Sequence, residues 1–243
     1  MKNVFVTGTD TGVGKTVVTA ALVAMARSKG IDAVPFKPVQ TGCTGRAEAL
    51  KAPDLEFSLR MGNLDLGLEA REQMAPFRYR PACSPHLAAK RAGRSVKTSV
   101  IKRNFGALAR THDSVVVEGA GGVMVPISAS RSMLDLMQTL ALPIVLVSRP
   151  QLGTLNHTLL SLGTLKDAGL DVLAVVLVRT EPGKSNYIEL DNRKTLQRLG
   201  KIPVLGPLPF LPEIRSGKIT SKNFLCRLDP AITPLFSILN PEP

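Results

Sequence analysis

The residues with the clearest capacity for chemistry are Gly8-Thr9-Asp10-Thr11-Gly12-Val13-Gly14-Lys15-Thr16, a glycine-rich run between the apolar segment Val4 to Thr7 and a helical one. Glycines let such a loop fold around an anion, and its consecutive N–H groups and the following helix N-terminus attract phosphate. A terminal Lys reaches the β/γ-phosphates and a terminal Thr can ligate Mg²⁺. This is a P-loop, with Lys15 and Thr16 in those two places and the stretch Gly12, Val13, Gly14, Lys15, Thr16 and Val17 as the nucleotide cradle. It departs from strict G-x-x-x-x-G-K-[ST] in one respect: five residues separate Gly8 from Gly14, and Thr9 stands where the first Gly would be.

Such a loop needs an acid to hold its metal. Glu118 follows Val115-Val116-Val117 and precedes Gly119-Ala120-Gly121-Gly122, which places it at the carboxyl end of a strand, where open α/β sheets bind ligands. Mg²⁺ takes one or two carboxylates and completes its shell with phosphate oxygens and water. From the sequence alone, Asp10 and Asp54 are both candidates for the second acid. Lys37, in Phe36-Lys37-Pro38-Val39-Gln40-Thr41-Gly42, ends another strand, where a second ammonium could stabilise charge moving through a phosphoryl transfer. By spacing alone it is equally a surface lysine. His86, His112 and His157 form no Ser/His/Asp or Cys/His set and read as capping or packing histidines. Ser84 and Thr154 read as helix N-caps.

These side chains need a frame, and the pattern of the chain supplies one. Short β-branched runs alternate with helical-length segments: Val4 to Thr7, then Val17 to Ser28; Ala33 to Lys37; Val115 to Glu118; Ile144 to Ser148, then Leu155 to Ala168; Val172 to Val178, then Tyr187 to Leu199; and Val204 to Leu208. Alternation of this kind predicts a three-layer α/β fold, a mostly parallel central sheet flanked by helices. Ser114 to Val117 and Pro143 to Val147 are continuously apolar and belong in the sheet centre. One P-loop α/β domain over residues 1–243 is expected. Residues 41–112, punctuated by Gly and Pro, form an excursion in which Pro85 to Arg94 and Val96 to Arg110 look helical. The tail 212–243, with Pro230, Pro234, Pro241 and Pro243 and weak periodicity, is expected to wrap the surface or fray.

Composition narrows the function classes. Lys and Arg outnumber Asp and Glu by 31 to 19, an excess that raises nucleic acid, anionic membrane and phosphate ligands as partners. Residues 73 to 112 hold nine cations and no acid. Aromatics make up only 4% of the chain, too few for a surface that stacks single-stranded bases, so the stretch reads as a solvated basic face and nucleic acid is not expected as a partner. Cys43, Cys83 and Cys226 are odd in number and far apart, as in a cytoplasmic protein with reduced thiols. Met1-Lys2-Asn3 runs directly into a strand with no secretory h-region, and no apolar run reaches the length of a membrane helix.

Gly8 to Thr16, Lys37 to Gly42, Ser84-Pro85-His86-Leu87-Ala88-Ala89, Val117 to Gly122 and Leu152-Gly153-Thr154-Leu155-Asn156-His157 together resemble the dethiobiotin synthetase family, in its order and spacing. The resemblance implies an Mg²⁺- and ATP-dependent cyclo-ligase of biotin synthesis that closes the ureido ring of dethiobiotin from 7,8-diaminononanoate and CO₂. One amine takes up CO₂ as a carbamate, a carbamate oxygen attacks the γ-phosphate, and the second amine displaces phosphate from the mixed anhydride. It assigns Lys15 and Lys37 to neutralising the developing charge, and Thr16, Asp54 and Glu118 to the metal, which favours Asp54 over Asp10. Thr11, Thr41 and Gly121 line the diamine and carbamate site, and Gly119 and Ala120 border the nucleotide. It also implies a homodimer in which Gly153, Thr154 and Asn156 of the partner hold the substrate carboxylate at a helix start. Pro209-Phe210-Leu211 matches a segment near the base. Val178-Arg179-Thr180 departs from the family, which commonly offers an Asn there. A guanidinium has donors and no acceptor, so it does not accept from an adenine amino group as an amide can, and CTP or GTP becomes admissible beside ATP. The competing reading is a partition-type P-loop ATPase acting on DNA or membrane through its basic surface. Such proteins usually carry an extra Lys early in the loop, where this chain has Thr9-Asp10-Thr11.

Overall fold

The computed structural model describes residues 1–46 and 49–241; residues 47, 48, 242 and 243 of the expected excursion and tail lie outside the described residues. Six strands form one parallel sheet in the order β2-β5-β1-β6-β7-β8. They are β1 (Val4–Gly8), β2 (Ala33–Phe36), β5 (Ser114–Glu118), β6 (Ile144–Ser148), β7 (Val172–Val178) and β8 (Val204–Leu208). The continuously apolar β5 and β6 flank β1 and are buried along their whole length, as strands covered on both faces must be. Order reverses at β1: the chain leaves it toward β2 and β5 on one side and later fills β6, β7 and β8 on the other. A crevice opens at the carboxyl ends where such a reversal occurs. The register sets the groups around it. Phe36 lies beside Val117, Val6 beside Glu118, and Gly8 beside Val147, so Lys37, Glu118 and the loop after Gly8 emerge at one edge.

On one face lies α1 (Lys15–Ser28) with its apolar residues Val18, Leu22 and Met25 buried. The other is covered by α5 (Thr98–Thr111), α6 (Met133–Leu140), α7 (Thr154–Asp167) and α8 (Tyr187–Gly200). The excursion holds the expected helices, α4 (Pro85–Arg91) and α5, and a two-stranded parallel ribbon of β3 (Val39–Gln40) and β4 (Phe77–Arg78). It holds two more helices than its Gly and Pro punctuation suggested, α2 (Pro53–Met61) and α3 (Leu68–Met74). Pro53 opens α2 instead of interrupting it, because the missing N–H falls in the first turn where none is needed.

The tail corrects the sequence reading. After the short α9 (Pro212–Arg215) it forms α10 (Ser221–Leu239), packed on α1. Phe224, Leu228, Ile232, Leu235, Phe236 and Leu239 recur every three or four residues and are buried, a helical stripe that outweighs the prolines. Pro230 and Pro234 lie on the exposed face, so the carbonyls they leave without an N–H partner can bond to water. No helix among the described residues is long and apolar enough to cross a membrane.

Candidate active site

The loop between β1 and α1 borders a cleft of about 740 Å³. Gly14 caps α1 with φ +103°, and a Cβ there would lie 2.6 Å from a Val178 methyl, so only glycine fits. Lys15 is buried, and its Nζ donates to the carbonyl of Asp10 at 2.7 Å, folding back over its own loop. Burial and then the nearby Lys37 charge lower its pKa to about 8. The Thr16 hydroxyl donates to Glu118 Oε1 at 2.8 Å.

Lys37 reaches the same carboxylate. Its Nζ lies 2.7 Å from Glu118 Oε1 and 2.7 Å from Asp54 Oδ2, and donates to the Gly119 carbonyl at 3.0 Å. Only 4% of Lys37 and 2% of Glu118 is exposed, where charges interact far more strongly than in water. Burial disfavours the ammonium, but Glu118 and Asp54 outweigh it and push the Lys37 pKa up. Burial also pushes the Glu118 carboxyl up, against the pull of Lys37. For Asp54 burial acts upward too, yet Lys37 and Gln40 hold it below the usual carboxylate range. Asp10 is settled elsewhere: its Oδ1 accepts from the Thr11 N–H at 2.6 Å, and it borders a separate small cavity.

One cation already sits within 2.7 Å of both Asp54 and Glu118, so the two carboxylates can converge on a single ion, with the Thr16 hydroxyl beside them. Three hard oxygen donors completed by phosphate and water suit Mg²⁺. Lys15 and Lys37 supply two ammonium groups at the same place, able to neutralise an anion as it forms.

Of the residues expected to form the site, Thr11, Gly12, Gly14, Lys15, Thr16, Val17, Lys37, Thr41, Asp54, Glu118, Ala120, Gly121, Arg179, Thr180, Pro209, Phe210 and Leu211 all line the cleft. Val13 is buried behind the loop, and Gly119 contributes its carbonyl to Lys37. Gly153, Thr154 and Asn156 do not reach the cleft. Thr154 borders the separate cavity of about 90 Å³, joined to Ser148 and Thr158 through buried hydroxyls, and Asn156 is exposed at the start of α7. None of the nine cations of residues 73–112 lines the cleft.

Arg179 needs a correction of role. It borders the cleft, but its Nε and Nη2 donate side-on to Glu189 at 3.0 and 2.6 Å, so the guanidinium is tied to α8 and not loose for reading a base. Glu189 carried no signal in the sequence, being one of two acids on a charged helix. Arg215 was likewise missed, since it lies in the tail. It borders the far end of the cleft, with its guanidinium 5.3 Å from the centroid of Phe210.

A family model described as an AAA domain matches residues 2–217. The chain is 41% identical to the ATP-dependent dethiobiotin synthetase BioD of Anaeromyxobacter dehalogenans strain 2CP-C, over 88% of this chain and 92% of that one. It is 36% identical to the protein of the same name from Bacillus velezensis, over 90% and 91% of the two chains. For that of Thermodesulfovibrio yellowstonii the identity is 36%, over 90% and 95%. Among solved structures it resembles the septum site-determining protein MinD with Mg-ADP from Pyrococcus horikoshii, with TM-score 0.63, 20% identity and coverage of 99% and 97%. A ParA family ATPase from Chlorobium tepidum gives TM-score 0.58 at 14% identity, covering 98% and 99%. Likeness at those identities shows the P-loop fold alone and lends the partition-type reading no support.

Proposed function

The chain belongs to the ATP-dependent dethiobiotin synthetases, and from that premise we propose which of its groups carry out each part of the reaction. The enzyme is an ATP-dependent cyclo-ligase that forms C–N bonds, closing the ureido ring of dethiobiotin from 7,8-diaminononanoate and CO₂ with release of ADP and phosphate. The observation that carries the assignment is the convergence of Lys15, Lys37, Thr16, Asp54 and Glu118 at one end of the cleft.

The N–H groups of Gly12 to Val17 hold the nucleotide phosphates, and the base lies toward Arg179, Thr180 and Pro209-Phe210-Leu211. Thr16, Asp54 and Glu118 would hold Mg²⁺, which would neutralise phosphate charge when bound. Lys37 swings from its carboxylates to the carbamate, and Lys15 follows the charge onto the γ-phosphate. Both ammonium groups act where charge grows during the transfer, which is where electrostatic stabilisation accelerates a reaction. Thr11, Thr41 and Gly121 position the carbamate and the free amine for ring closure. With Gly153, Thr154 and Asn156 out of reach of their own cleft, a homodimer supplies them from the partner. In support, Leu152 is 93% exposed and Leu160 63%, apolar surface that a partner would cover. The cytoplasm is the expected setting, in keeping with three free cysteines.

ATP is the co-substrate, with CTP and GTP as competitors, because Arg179 stands where the family commonly offers an Asn and, tied to Glu189 and lacking an acceptor, leaves the base without an amide to read it. Mass analysis of the product formed from the diamine and ¹³C-bicarbonate tests the assignment. The expected product carries one labelled carbon in a cyclic urea, and CTP or GTP supports its formation at a rate comparable with ATP. An unlabelled diamine recovered after complete ATP hydrolysis would refute the ring-closure reading.

A further inference from the structure

The first residue after β6 is Arg149, and it approaches the P-loop from behind. It borders the small cavity with Thr9, Asp10 and Val13 and not the cleft, whereas Gly12 lines the cleft. Its Nη2 donates to the Thr11 carbonyl at 3.0 Å. The Thr11–Gly12 peptide is trans, and in a planar trans peptide the carbonyl and the following N–H point in opposite directions. A guanidinium that holds the carbonyl outward therefore turns the Gly12 N–H inward. Gly12 has φ +70°, and a Cβ there would come within 3.4 Å of the same Nη2, so the close approach of Arg149 and the loop conformation go together. The Nε of Arg149 is buried with no hydrogen-bond partner. An unsatisfied buried donor is costly and calls for a reason, and the bond to the loop is the one the guanidinium keeps at that cost.

We infer that Arg149 is a positioning residue for nucleotide binding, holding the Thr11–Gly12 peptide so that its N–H faces the β- and γ-phosphates. The inference rests on the cleft taking nucleotide phosphates as proposed above. Calorimetric titration of the full chain with MgATP and, separately, AMP tests it, because AMP lacks the two phosphates concerned. Arg149→Met should weaken MgATP binding by about tenfold to a hundredfold, the worth of a charge-assisted hydrogen bond, and leave AMP binding unchanged. Arg149→Lys, which can still donate to the Thr11 carbonyl, should recover most of the loss. Should the Met variant fail to fold, Arg149→Gln carries the same ATP and AMP comparison. Unchanged MgATP affinity, or a loss shared equally by AMP, overturns the inference. Unaltered protein that bound no MgATP would overturn the reading of the cleft itself, and this inference with it.

Discussion

At Lys37 one ammonium faces two carboxylates in a place nearly closed to water, and the arrangement explains why the residue could not be judged from the sequence. A lysine ending a strand is ordinary; what gives Lys37 a role is the register that brings Glu118 to 2.7 Å and the first turn of α2 that brings Asp54 to the same distance. Lys37→Gln is therefore expected to lower kcat by about a hundredfold or more, the scale of losing one preorganised charge in a transition state, while MgATP binding stays nearly intact. Unchanged turnover would remove Lys37 from the mechanism. Asp54→Asn and Glu118→Gln should each shift the Mg²⁺ dependence of turnover to higher concentration, and normal Mg²⁺ titrations in both would sink the metal assignment. Asp54 could be chosen over Asp10 only through the family resemblance, because the two acids differ in geometry and not in any local sequence signal.

The strands and the loop after β1 were legible because their signals are local: an apolar run needs no partner to be recognised. The helices that were missed depended on context. Proline spacing concealed α2, whose Pro53 occupies the first turn, and α10, whose prolines face water. A local signal, a capping box, starts α6: Ser132 and Asp135 bond reciprocally, the Asp135 N–H to Ser132 Oγ at 3.3 Å and the Ser132 N–H to Asp135 Oδ2 at 2.7 Å. Ser132→Ala should cost about 1 kcal/mol in urea unfolding at neutral pH. The bonds from Ser132 hold the Asp135 carboxyl below its ordinary value of 3.8. Its contribution is then complete above that value and lost as pH falls through the lower folded one. The gap between wild type and Ser132→Ala should accordingly narrow below about pH 4, and a pH-independent gap would contradict the reciprocal cap.

Across the whole molecule, the sheet order puts five strand ends around one crevice, so residues from Thr11 to Arg215 meet there although no stretch of sequence shows it. The approach of Arg149 to the loop belongs to this scale too, since it joins the ends of β6 and β1, which only the folded sheet brings together. The start of α7 stays outside its own cleft, and the proposed homodimer would bring the partner's copy of it there. Leu160→Glu should yield a monomer by sedimentation and raise KM for the diamine with MgATP binding retained; an intact dimer with unaltered KM would place the interface elsewhere. The central claim is that this cleft couples ATP cleavage to carboxylation of a diamine. Phosphate release by the purified protein with MgATP, measured with and without 7,8-diaminononanoate and with and without bicarbonate, tests it most directly. Release that requires both is the predicted result, and release indifferent to the diamine would contradict the account.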